Sequence, residues 1–194
     1  MHCKSMKVSY ILRHFPLPSE TFVINEIIAL QGKGVDIHPI SLFSPEKCQQ
    51  GLMEKVQHAA YDLTAINFYE QAQQSGHLAS AVQQVGKLEL PDKYAGYAAL
   101  VADHVTAKGI EVLHAHFATE SALVAMIAGQ ITGVPFTFTA HAYDIFIRQK
   151  GSSVGEQLER RLRLLCEHAA RIVTVSEFNK GHILGLTNRK YASK

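Results

Sequence analysis

The chain has 194 residues, of which 47% are hydrophobic and 19% charged, enough to bury a real core and too apolar for an intrinsically disordered chain. Nineteen Lys and Arg against 17 Asp and Glu leave a net charge of +2. That is too little for the basic footprint of a nucleic-acid partner, so no nucleic acid is expected.

Cys3, Cys48 and Cys166 are odd in number and far apart. They fit buried thiols in a reducing cytoplasm better than a disulfide framework or a zinc site. The longest apolar stretch, Ala122 to Ile127 followed by Ala128 and Gly129, falls far short of the ~20 residues of a membrane span. "MHCKS" lacks the apolar centre of a signal peptide, so residues 1–5 read as an extension before a start at Met6.

"KVSYIL" (Lys7–Leu12) is a buried strand by its apolar, β-branched content. Pro16 and Pro18 then stiffen a loop. Ser19 is the expected cap of a helix, with Glu20 in its first turn where the dipole favours an anion. Phe22, Val23, Ile27 and Leu30 recur at helical spacing, and Gly32–Gly34 supply the stop. "VDIHPISLF" completes a βαβ unit, which implies parallel pairing and a right-handed crossover. From Cys48 to Lys108 the composition predicts helices, broken near Gly76–His77, Gly86 and Pro91. "VLHAHF" is a strand and "TESALVAMIAGQITG" a helix capped by Thr119 and stopped at Gly133. "PFTFTAHA" is the next strand, "GEQLERRLRLLCEHAA" a helix, "RIVTVS" a strand, and "EFNKGHILGL" opens another helix. The alternation implies a single α/β domain, a Rossmann-like doubly wound parallel sheet with helices on both faces.

In such sheets ligands sit at the carboxyl ends of the strands. Arg13, His14, Ser19 and Glu20 follow the first strand; His114, His116, Thr119 and Glu120 belong to the third segment. His141, Tyr143 and Asp144 end "FTFTA", and Ser176, Glu177 and Asn179 end "RIVTV". Each has a plainer reading. His114 suits a core role, and Ser176 with Glu177 a helix cap and its dipole partner. Arg13 suits pairing with Glu20. "ERRLRLL" suits a solvated helix face, its alternative being a surface resting on an anionic membrane. His141 with Asp144 is harder to explain structurally and heads the list of functional candidates.

"YILRHFPLPSETFVINEIIALQGKGVDIHPISLF", "HAHFATESALVAMIAGQITGVPFTFTAHAYDIF" and "RIVTVSEFN" resemble the N-terminal half of family 4 retaining glycosyltransferases, of the colanic acid, capsule and exopolysaccharide type. The likeness runs in order over nearly the whole chain. The resemblance implies a GT-B fold, in which an N-terminal, acceptor-side Rossmann-like domain (here residues 1–194) faces a C-terminal domain that binds a nucleotide-sugar donor. It implies transfer with retention to a glycan or lipid-linked acceptor without a cofactor or bound metal, in the cytoplasm or at the inner face of the plasma membrane. It places His141 beside the transferred sugar and Asp144 in support, as the catalytic pair. It places Arg13, Ser19, Glu20, His116, Ser176 and Glu177 around the substrates, where a guanidinium and a helix start suit a diphosphate leaving group. The first loop carries prolines where many relatives have glycines. The second domain, with its paired glutamates, lies outside residues 1–194, so this chain is expected not to transfer sugar alone.

Two other readings compete. One is a metal-dependent hydrolase using His114, His116, His141 and Asp144, because alternate strand positions put both imidazoles of H-x-H on one face. The other is a non-catalytic module that binds an acceptor or a partner.

Overall fold

The computed structural model describes residues 5–43, 54, 56–58, 60–63, 67–146 and 152–194. Strand β1 (Lys7–His14) leads through a 3₁₀ turn (Pro18–Glu20) into α1 (Thr21–Gln31), β2 (Asp36–Phe43) and the two-residue β3 (Tyr61–Asp62). Helices α2 (Phe68–Gln74), α3 (Leu78–Lys87) and α4 (Lys93–Lys108) precede β4 (Val112–His116), α5 (Glu120–Thr132) and β5 (Phe136–Ala140). Helix α6 (Ser153–His168), β6 (Arg171–Thr174) and α7 (Glu177–Leu186) close the order.

All pairings among these strands are parallel, in the order β3-β2-β1-β4-β5-β6. This is the doubly wound Rossmann-like sheet expected from the alternation. Side-chain alternation along β1 explains its two layers. Val8, Tyr10 and Leu12 join Val23, Ile24 and Ile27 of α1 on one face, while Ile11 joins the core formed with α4, α5 and α6 on the other. Burying each such aliphatic side chain contributes roughly 1.5–3 kcal/mol before conformational entropy is subtracted.

Several local expectations need correction. Ser19 caps nothing: it sits exposed in the 3₁₀ turn, and α1 starts at Thr21 with no side-chain cap. Phe22 is 40% exposed, and the buried stripe of α1 is Val23, Ile24 and Ile27. The stretch expected to be all helical contains β3, held because its pairing with Ile40 and Ser41 extends the sheet. The break expected near Gly86 does come there, one residue on, where α3 ends at Lys87. Cys166 is buried, and that burial pushes its thiol up to about 12, which keeps it protonated and inert. Cys3, Cys48 and much of the segment 48–66 lie outside the described residues.

Candidate functional site

Strands β1 and β4 are neighbours at the centre of the sheet, and the chain leaves them in opposite directions, towards β2 and towards β5. Their carboxyl ends therefore diverge into a crevice, the switch point at which open α/β sheets bind ligands. Polar side chains collect on the α1 face of that crevice. Tyr10 is in register with His114, His114 with Thr137, and His116 with Thr139.

His114 is buried, with Nδ1 2.8 Å from the Thr137 hydroxyl and Nε2 3.1 Å from that of Thr139. Burial, reinforced by His116, pushes its pKa down from 6.5 to about 3, so the ring is neutral. Glu26 reaches in from α1. Its Oε1 accepts a 2.5 Å hydrogen bond from the Tyr10 hydroxyl and lies 3.5 Å from Nε2 of the buried His116. The pull of His116, joined by that of Tyr10, outweighs burial and holds the Glu26 carboxyl down at about 2, so it is an anion. Nδ1 of His116 is 3.2 Å from Nε2 of His141. An anion beside Nε2 of His116 favours a proton there, which leaves Nδ1 free to accept from N–H of His141. Burial and the neighbouring His116 lower the pKa of His141, partly offset by Asp144 and Glu26.

Rings enclose the pair. Phe22 lies 5.0 Å from His141 and 5.9 Å from His116, and Phe117 lies 4.2 Å from His141. Phe117 takes a positive φ of 68° at the end of β4, an uncommon conformation for a bulky residue.

Asp144 is buried, and main-chain amides occupy its carboxylate. Oδ2 accepts from the amide of Ala118 at 2.7 Å and Oδ1 from that of His141 at 3.0 Å. It ties the loop after β5 to the loop after β4. The carbonyl of His141 accepts from Nδ2 of Asn179 at 2.6 Å, which adds the start of α7 to the same brace. The Ser176 hydroxyl accepts from the amide of Asn179 and caps α7. Glu177 is 90% exposed and pairs with Lys180 at 3.6 Å. For these two residues the geometry is that of a cap and a solvated pair.

Arg13 points along the rim to Glu120, 3.8 Å away, rather than to Glu20. Arg13 and Glu120 line a cavity of about 380 Å³ with Lys93, Tyr94, Tyr97 and Phe43 among its other walls. Tyr94 also borders a second cavity of about 360 Å³ that contains Arg161. Arg161 departs from the solvated-face reading of "ERRLRLL". Its Nε is buried without a hydrogen-bond partner among the described residues, and its field reaches Glu120, Tyr94 and Asp144. Arg160 and Arg163 keep to that reading, in pairs with Glu89 and Glu159. Burial raises the Glu20 pKa against the pull of His116 and His14.

The structure thus brings Glu20, His116, His141 and Asp144 to one rim, with Arg13 further along it and Ser19 exposed beside it. The four-residue metal set is not assembled, because both His114 nitrogens sit on threonine hydroxyls and the Asp144 oxygens on amides. The donor atoms of Glu26, His114 and His116 do lie within 4.8 Å of one another, but both His114 nitrogens are already engaged by threonine hydroxyls. Glu26, Tyr10 and Arg161 are not among the candidates that the sequence offers. Glu26 follows Phe22 by four residues, one helical turn, so the histidine-facing side of α1 is in principle readable.

Residues 39–190 match the profile of a family described as a glycosyl transferase 4-like domain. No curated protein matches. Among solved structures, a UDP-N-acetylglucosamine 2-epimerase superposes with a TM-score of 0.60 at 11% identity over 94% of this chain and 45% of its own. The UDP-GlcNAc 2-epimerase of Methanocaldococcus jannaschii, in complex with UDP-GlcNAc and UDP, gives 0.57 at 14% over 93% and 43%. The lipopolysaccharide outer core galactosyltransferase WaaB, in its apo form, gives 0.55 at 14% over 93% and 42%. The chain spans less than half the length of each, and likeness at these identities is likeness of fold.

Proposed function

Because the chain belongs to the glycosyl transferase 4-like domain family, we propose that it is the N-terminal, acceptor-side domain of a retaining GT-B glycosyltransferase. In this reading a partner domain outside residues 1–194 binds a nucleotide-sugar donor, and the chain alone does not transfer sugar. The acceptor is a growing glycan or lipid-linked saccharide of exopolysaccharide assembly, met in the cytoplasm at the inner face of the membrane. Contact with that face is proposed to be peripheral; no helix of the described residues is long and apolar enough to cross a membrane.

The observation that carries this reading is the Glu26–His116–His141 relay at the switch point. Transfer moves a glycosyl group from a nucleoside diphosphate to an acceptor hydroxyl, and the site must position a polar sugar beside a developing anion. His141, neutral near pH 7 and clamped between aromatic rings, offers a directional hydrogen-bonding group to a sugar hydroxyl. Asp144 acts through His141 as a positioning residue, since its oxygens are committed to amides. Arg13 and Arg161 supply positive charge near the rim, suited to phosphate oxygens. Tyr94 and Tyr97 in the 380 Å³ cavity provide apolar faces for a saccharide or a lipid stem.

The test uses the longer protein that carries both domains, assayed with a panel of nucleotide sugars and a lipid-linked acceptor. His141→Ala is expected to lower transfer by on the order of 10²–10³-fold, the loss seen when one preorganised polar group is removed. Transfer at the unmutated rate contradicts the role given to His141. Epimerisation of a nucleotide sugar without acceptor overturns the transferase reading itself.

A further inference from the structure

At the opposite, amino end of the sheet stands a second group of ligand-capable side chains. Asp36 and His38 open β2, and His58 comes from the bend at 56–58. Nε2 of His58 lies 2.9 Å from Oδ1 of Asp36, and Nε2 of His38 lies 3.1 Å from the same oxygen. The two imidazoles stack nearly parallel, with centroids 4.3 Å apart and planes 14° apart, so both Nε2 atoms aim to one side. We propose that Asp36, His38 and His58 form a zinc site, which fastens the bend at 56–58 to the start of β2.

As a hydrogen-bonded trio the cluster is incomplete. His58 bonds to Asp36, but Nε2 of His38 is buried, close to the carboxylate, and makes no hydrogen bond among the described residues. That buried ring nitrogen and the one on His58 converge on a single carboxylate oxygen, and a cation held between the three groups satisfies all of them at once. The donor set of two imidazoles and one carboxylate suits zinc, and all three donor atoms lie within 4.8 Å of one another. Bonds of roughly 2.0–2.2 Å to zinc place tetrahedral ligands about 3.3 Å apart. The observed N···O separations of 2.9 and 3.1 Å therefore need to open by only a few tenths of an ångström.

The scaffold is already ordered. Val56 is buried against α1, and the amide of Gln57 donates to Oε1 of Gln31. His58 is 36% exposed and Asp36 22%, which leaves a solvent-facing side for entry and for a water as fourth ligand. His104 stands behind His38 with ring centroids 6.3 Å apart.

The test uses the untagged 194-residue chain, stripped with a chelator and then dialysed against micromolar zinc. Bound metal is measured by elemental analysis and stability by thermal melting. The expected result is a zinc equivalent that raises the melting temperature, is missing from His58→Ala and from Asp36→Asn, and persists in His116→Ala. Affinity should fall by at least the roughly 10–100-fold that loss of a mere supporting group costs. Failure of the wild type to bind zinc overturns the proposal, as does binding that survives both substitutions or is lost in His116→Ala instead. Circular dichroism of His58→Ala, whose side chain lies in a bend outside the core, separates loss of a ligand from loss of fold.

Discussion

At the scale of single residues, the site is governed by one half-buried anion and three imidazoles. The Glu26 charge supports the protonated forms of both His114 and His141. Glu26→Gln removes that charge while keeping the shape, so the titration midpoint of His141 is expected to move to still lower pH. NMR titration of the imidazole C–H resonances measures it, and an unchanged or raised midpoint contradicts the relay. Histidines paired with a carboxylate more often gain basicity. Here burial and the neighbouring His116 outweigh the carboxylates of Asp144 and Glu26.

At the scale of elements, helix α5 and strand β5 approach unusually closely. A Cβ on Gly129 would stand 2.7 Å from the carbonyl oxygen of Val134 and 3.5 Å from Cβ of Phe136. The carbonyl belongs to the backbone that leads into β5 and cannot swing aside. Gly129→Ala is therefore expected to destabilise the domain by about 1–3 kcal/mol, despite the better helix propensity of alanine. Urea denaturation checks this, and a midpoint at or above that of the parent contradicts the close approach. The same packing seats the start of β5 against α5.

At the scale of the whole molecule, buried neutral histidine makes stability depend on pH. His114 ordinarily titrates at 6.5 but at about 3 in the fold. Between those values the unfolded chain binds a proton that the native chain does not, so stability is full above about 6.5 and falls as pH drops towards 3. One proton gives a slope of about 1.4 kcal/mol per pH unit within that window. His104, lowered to about 4, acts with the same sign. Glu26, lowered to about 2, adds stability above 4.5 that is lost further into acid. Urea midpoints at pH 7, 5.5 and 4.5 should fall in that order, and more shallowly in His114→Gln; a flat profile contradicts the buried neutral imidazole. The parallel sheet, its central strands and the convergence of His116 and His141 were legible in the residues themselves, because hydrophobic period and chain punctuation are local signals and topology does the rest. Three-dimensional packing alone decided the remainder. It turned Phe22 from the core to the histidine rim, took the Ser19 cap away, drew Glu26 and Arg161 inward and brought His58 to Asp36 and His38. Each of these depends on which side of a helix or bend meets a segment far away in the chain, and no short-range pattern carries that information.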